Sequence, residues 1–283
     1  MDNEWQQIKG LLRYKQDNCT LYIITELSDE LKQEIRNYLA VICYGEENIS
    51  LGIQAYSYQN TLKEFVQRCT ADASNAKKAN RIKGMMGELL THLILRLEKN
   101  FSIASSFFNI EERSFKKGFD IVLVKDSCLW ITEIKSGEKH VRHKNATQSI
   151  DHLLTTAQKD LAKRLSNHER RLWDNAINAA RNAMSCPDEK KAVLKILATY
   201  LNKTIEEQDT SNDYNVILSG NLFHPLTEKI TLSEIQKTYT EIQKEKQFND
   251  ILVIATQQET FKDLYDFLQS EAQQCQKNSP SAE

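Results

Sequence analysis

Asp120, Glu133 and Lys135 fall within one short segment, residues 118–137, that reads GFDIVLVKDSCLWITEIKSG. Two carboxylates can hold a divalent cation, and an ammonium beside them can orient the attacking water and offset phosphate charge. An Asp followed by Glu-x-Lys on paired strands is therefore the minimal equipment of a metal-dependent phosphodiesterase. Residues 121–124 and 129–134 are rich in β-branched and apolar side chains, so the segment predicts two strands. If Asp126 and Ser127 form a two-residue loop, Lys125 pairs with Cys128, and the same register sets Asp120 opposite Glu133. Opposed residues hold their Cβ atoms about 4.5–5.5 Å apart, close enough for two carboxylates to share a cation. Glu133 and Lys135 are two apart and project from the same face. A slip of one residue would send Asp120 to the other face.

The strands that carry these residues are apolar on both faces. Val122, Val124, Leu129 and Ile131 lie on one, and Ile121, Leu123, Trp130 and Ile134 on the other. The pattern predicts central strands covered on both sides. Charge on such strands is costly unless it is paired. A structural ion pair, Lys135 with Glu133 or Asp120, is the plain account of these residues, and a cation site is the chemical one.

Upstream, residues 83–99 place Met86, Leu89, Leu90, Leu93, Ile94 and Leu97 at helical spacing. Gly84 and Gly87 each cost a helix about 1 kcal/mol relative to Ala, most readily accepted where its backbone lies close to a sheet. Glu88, beside those glycines, is a candidate third acidic group, binding a second cation or a metal-bound water. A solvated helix position is the alternative. His92, one turn on, is expected to pack in the core.

A helix with Glu88, a strand after Asp120, a Glu-x-Lys strand and a further helix resemble the PD-(D/E)XK nuclease superfamily over residues 83–165. More narrowly, GMMGELL, GFDIVLV and WITEIKSG resemble the HamA family, the nuclease subunits of Hachiman anti-phage defence, and the related AbpA proteins. The resemblance implies a DNA nuclease working with a superfamily-two helicase encoded nearby. It implies metal binding at Asp120 and Glu133, catalytic support from Lys135, and a further acidic role for Glu88. Mg²⁺ is the expected cation, with Mn²⁺ as the alternative. Phe119 stands where the superfamily's name has Pro, a position that varies within it. The expected fold is α/β, a mixed central sheet flanked by helices in a restriction-endonuclease-like core. That core is assigned to residues 80–270, after an N-terminal α/β extension (1–75) offered for partner docking and before a flexible tail (271–283).

Net charge is −2, so nothing global draws the chain to nucleic acid. Local clusters are basic: Lys77, Lys78, Arg81 and Lys83, then Arg113, Lys116 and Lys117, then Lys139, His140, Arg142, His143 and Lys144. All three flank the same constellation, and a basic rim binds phosphates without regard to sequence. No aromatic stacking platform lies within them. DNA and RNA, and endo- and exonucleolytic cutting, fit the residues equally.

The six cysteines include no C-x-x-C pair, which points to free thiols in a reducing compartment rather than a disulfide frame or zinc site. No signal peptide or run of membrane-spanning length is read, so a cytoplasmic location is expected. Without a Walker loop the chain has no ATPase of its own, and unwinding would fall to a partner. Two other classes fit the same letters: a non-catalytic nucleic-acid-binding module that keeps the nuclease fold, and an interaction subunit whose charged trio is structural.

The remaining periodicity predicts strands at 21–25, 41–44, 214–219 and 250–256. Helices are predicted at 28–39, 62–69, 146–165, 169–184, 188–201, 232–244 and 260–268. Residues 70–80, small and polar, read as a linker, and those from 270 on as frayed. Gln148 and Gln158 both lie on the helix after the Glu-x-Lys strand, and either is a candidate neighbour of the cation.

Overall fold

The alternation along residues 121–134 decides the architecture. In the computed structural model, which describes residues 7–70, 75–108 and 118–277, Ile121, Leu123, Trp130 and Ile134 enter one apolar cluster. Val122, Leu129 and Ile131 enter a second. The strands separate two cores, as their two-sided apolar pattern predicts.

The strands are β1 (Leu11–Gln16), β2 (Cys19–Ile24), β3 (Ser102–Ile103), β4 (Ile121–Lys125), β5 (Cys128–Glu138), β6 (Asn215–Phe223) and β7 (Asp250–Gln258). Among the described residues they form one seven-stranded sheet, ordered β1-β2-β7-β6-β5-β4-β3. Strands β5, β6, β7 and β2 run parallel, while β1, β4 and β3 are antiparallel to their neighbours. The sheet is thus mixed. Helices α1 (Asp29–Tyr44), α3 (Tyr58–Thr70), α4 (Asn75–Leu97) and α9 (Lys262–Lys277) build the first core, with the short α2 (Glu46–Ser50) following α1. Helices α5 (Ala146–Ser166), α6 (Arg170–Ala183), α7 (Pro187–Ile205) and α8 (Leu232–Lys244) build the second.

The hairpin has the expected register: Lys125 pairs with Cys128 and Ile121 with Thr132. Asp126 and Ser127 take φ of 51° and 62°, the left-handed pair that closes a two-residue turn with the twist of the strands. Gly87 is where α4 touches the sheet. A Cβ there would stand 1.9 Å from Ser136 Oγ, so only glycine lets the helix come this close. Gly84 meets nothing within 4 Å, so the same argument fails for it. Ser28 caps α1, its hydroxyl accepting from Leu31 N at 3.2 Å.

Several expectations are corrected. The strand read at 41–44 is the last turn of α1, because Ile42, Cys43 and Tyr44 continue the helix's buried stripe with Ile35 and Leu39. Residues 75–80 of the supposed linker are the start of α4, while 71–74 lie outside the described residues. Residues 270–277 continue α9 and bury Ala272 where fraying was expected. Strand β1 was not foreseen. Only Leu11 of its apolar residues is buried, while Leu12 and Tyr14 are exposed. Strand β6 runs past Gly220, where Ile150 and Leu154 of α5 occupy the space a side chain would need. The N-terminal strands pair with β7 through β2, so they extend the same sheet. Among the described residues no helix is long and apolar enough to cross a membrane.

Candidate active site

Strand β5 places Glu133 and Lys135 on the face covered by α5, and Asp120 stands just ahead of the neighbouring strand, β4. Asp120 Oδ2 accepts the Ile134 backbone N–H at 2.7 Å, which fixes this carboxylate against the Glu-x-Lys strand. Glu133 is only 3% exposed. A carboxylate so placed needs compensating charge, and it has two cations. Lys135 Nζ donates to Glu133 Oε1 at 2.9 Å, and an Arg164 guanidinium nitrogen donates to Oε2. Lys135 Nζ also lies 2.8 Å from Asp160 Oδ2. Arg164 Nη1 donates to the Gly118 carbonyl at 3.0 Å, while its buried Nε has no acceptor among the described residues.

Asp160 and Arg164 were not singled out from the sequence. They are one turn apart on α5 and so share a face. Each directly precedes a residue of the helix's buried stripe, Leu161 or Leu165. That position beside the stripe was the available signal. What it lacked was which flank of the stripe meets Glu133. Lys159 and Lys163, on the same helix, are exposed and form no ion pair among the described residues.

Glu88 is placed differently. Its helix α4 crosses the opposite face of the sheet, resting at Gly87 on the side chains of Ser136 and Asn221. His92 is buried, with its ring 6.0 Å from that of Phe107, as expected of a core histidine. Gln158 donates to Gln247 at 3.1 Å and Gln148 accepts from Lys144 N at 2.7 Å, so neither engages the carboxylates.

The basic clusters are partly committed elsewhere. Lys116 and Lys117, with Arg113, lie outside the described residues. Lys139 Nζ is 2.9 Å from Glu228 Oε2, and Lys83 Nζ is 2.8 Å from Glu138. Glu228 also accepts from Ala146 N at 2.9 Å and contacts His224 Nε2 at 2.8 Å. Lys139 first, then Ala146 and His224, hold the Glu228 carboxyl down at about 2. Arg142 and Lys144 are exposed. His143 contacts Ser149 Oγ at 2.8 Å and packs its ring between those of His140 and His152. Desolvation and those two neighbours lower its pKa. His152 precedes Asp160 by two turns of α5, about 12 Å of helix rise, so this loop borders the carboxylates at a distance.

No group of three or more His, Cys, Asp or Glu among the described residues is arranged to hold a metal ion. Asp120 and Glu133 offer an all-oxygen set of two carboxylates. That suits a hard cation such as Mg²⁺, which keeps several of its waters and takes one or two carboxylates from protein. Asp160 brings a third carboxylate close to Lys135, at 2.8 Å.

A family model described as HamA matches residues 5–272, nearly the whole chain. No curated protein matches it.

Proposed function

The chain belongs to the HamA family and so to Hachiman anti-phage defence, and from that premise we propose that it is a metal-dependent nuclease cutting DNA phosphodiester bonds beside a partner helicase. The observation that carries this reading is Glu133. A carboxylate sunk in a rigid sheet is held by cations reachable from solvent, Lys135 and Arg164 each being 27% exposed. Asp120 is fixed to the same strand. A fold needing only an ion pair has little reason to bury one carboxylate under two cations, since such pairs barely offset their own desolvation. The order of elements supports it too: α4, the strand after Asp120, the Glu-x-Lys strand, then α5.

Asp120 and Glu133 would hold Mg²⁺ or Mn²⁺, which supplies Lewis acidity and lowers the pKa of bound water. Lys135, steadied by Asp160, orients the attacking water and stabilises charge developing on the phosphoryl oxygens. Lys159, Lys163, Arg142 and Lys144 supply contacts to the phosphate backbone, which bring little sequence preference. ATP-driven unwinding belongs to the partner.

The test compares wild type with Glu133→Ala and Lys135→Ala, and with Glu88→Ala in the same series. Substrates are plasmid, linear duplex, single-stranded DNA and RNA, each with and without Mg²⁺ or Mn²⁺, alone and with the helicase encoded nearby. Metal-dependent cleavage of DNA that both Glu133→Ala and Lys135→Ala abolish is the expected result. Cleavage that survives in Glu133→Ala moves the chemistry elsewhere. Complete absence of cleavage with the helicase present favours the structural ion pair, a reading suggested by the occupation of both Glu133 oxygens. It then requires Lys135→Ala to lower thermal stability.

A further inference from the structure

We propose that Arg164 is a phosphodiester-binding residue parked on Glu133, and that a divalent cation and Arg164 compete for that carboxylate; this rests on the nuclease reading above. Glu133 has two oxygens, and Lys135 and Arg164 take one each. Each oxygen keeps a further lone pair, but a cation bound there stands against a positive group already in place, so the cation and the two side chains disfavour one another on this carboxylate. Lys135 has a second carboxylate, Asp160, at 2.8 Å, which keeps it beside the strand whatever happens at Glu133. Arg164 has the Gly118 carbonyl at 3.0 Å, a neutral acceptor that anchors the guanidinium without neutralising it.

The guanidinium is incompletely satisfied where it stands. Its buried Nε has no acceptor among the described residues. An unmatched buried donor is costly, and a guanidinium presents Nε and a terminal nitrogen as a planar fork that matches two phosphate oxygens. Once Glu133 is neutralised by a cation, both arms of the fork lack an acceptor, and a phosphodiester supplies both. Lys159 and Lys163, exposed on the same helix and directly preceding Asp160 and Arg164, are next to the proposed phosphate contact in the chain. A bound cation adds its charge to those of Lys135 and Arg164, and the resulting positive field draws the phosphate.

Competition gives opposite signs in two measurements, which a merely structural arginine would not. Mn²⁺ binding to the full-length protein is followed by electron paramagnetic resonance, without nucleic acid, for wild type, Arg164→Ala, Arg164→Lys and Glu133→Ala. Arg164→Ala is expected to bind Mn²⁺ roughly tenfold more tightly, the worth of one charge-assisted hydrogen bond removed from competition. The same variant is expected to cleave DNA roughly a hundredfold more slowly at saturating Mn²⁺, as loss of a preorganised transition-state donor does. Arg164→Lys keeps the charge without the fork, so it should bind Mn²⁺ like wild type and leave cleavage unrescued. Mn²⁺ affinity unchanged or weakened in Arg164→Ala overturns the proposal. If that variant does not fold by circular dichroism, Arg164→Gln takes its place with the same expected signs. If wild type and Glu133→Ala bind Mn²⁺ equally, the nuclease reading falls and this inference with it.

Discussion

Two carboxylates in this protein are almost equally hidden and are held in opposite ways. Glu133 is 3% exposed and Asp209 is 2% exposed. Asp209 accepts from Thr204 Oγ1 at 2.9 Å and from the Tyr214 hydroxyl, and lies 3.1 Å from His168 Nδ1. These partners are locked by packing: the Tyr214 ring stacks on Trp173 at 5.4 Å and lies 5.0 Å from Tyr200. Burial, then the bond to Asp209, raises the Tyr214 pKa, so its proton stays on the hydroxyl. Asp209 joins the end of α7, the start of β6 and the turn after α5. Glu133 ties β5 to α5 through Arg164, a junction that the apolar packing of α5 on the sheet already secures. Its partners are long cationic chains with one end in solvent and a second acceptor each. Depth does not distinguish these two carboxylates; the difference lies in their partners, packed aromatic and hydroxyl groups at Asp209 and solvent-reaching cations at Glu133.

The largest expected difference is catalytic. Glu133→Gln should lower DNA cleavage by at least about a thousandfold, in the range for removing a group that organises transition-state charge. Its Tm should move by less than about 3 °C, roughly 1 kcal/mol for a chain of this size. Lys135 retains Asp160 and both cations reach water, so neither is stranded. A fall in Tm as large as that of an Asp209 variant would make Glu133 structural and erase the contrast. Asp209→Ala should do the reverse. It leaves two buried hydroxyls without an acceptor, at a cost of about 3 kcal/mol, and Tm should drop by roughly 6–10 °C. Cleavage per folded molecule should stay within about threefold of wild type. Urea melts with activity measured on the folded fraction decide it, and a collapse of activity at unchanged stability would place Asp209 in the chemistry.

The contrast also bears on what the letters reveal. The hairpin was legible because a two-residue loop, two-sided apolar alternation and a period of two all demand one register, and that register is observed. Which carboxylates are structural was not legible. Asp209 sits among polar residues in a stretch without periodicity, and its partners Tyr214 and His168 come from separate elements. Asp160 and Arg164 were hidden for a related reason. The stripe on α5 fixes which side of the helix faces the core, but which flank meets Glu133 depends on the angle at which helix and sheet cross. Strand β1 escaped because it buries only Leu11 of its apolar residues, so LLRYKQ carries no period-two pattern to read.

Metal sharpens the contrast by a smaller amount. At tenfold excess over its dissociation constant, Mg²⁺ should stabilise the wild type by about 1.4 kcal/mol, and thermal melts should show it as a rise of roughly 3–5 °C. Glu133→Gln should show no such rise, and Asp209→Ala should show the full rise from its lower starting point. An equal rise in all three would place the bound cation away from Glu133.

Glu228 is a third case, a carboxylate at the surface that is nonetheless fully engaged, and it gives the smallest effect. Lys139, the Ala146 backbone N–H and His224 lower its pKa from 4.5 to about 2. A depressed folded-state value means its contribution to stability is present above about pH 4.5 and is lost as pH falls from there through about 2. The Tm difference between wild type and Glu228→Gln should therefore be constant near neutrality and shrink steadily across that acid window. A difference that stays constant down to pH 2 would mean the carboxylate is not held by these partners. The same logic divides the basic loop. Lys139 is bound into the turn between β5 and α5, so Lys139→Ala should resemble Glu228→Gln in its acid profile. Charge reversal at Arg142 and Lys144, exposed and without such a tie among the described residues, should leave melting unchanged and weaken nucleic-acid binding with a shallower salt dependence. If Lys139→Ala instead weakens binding as those reversals do, its pairing with Glu228 gives way to phosphate, and it behaves like the cations on Glu133.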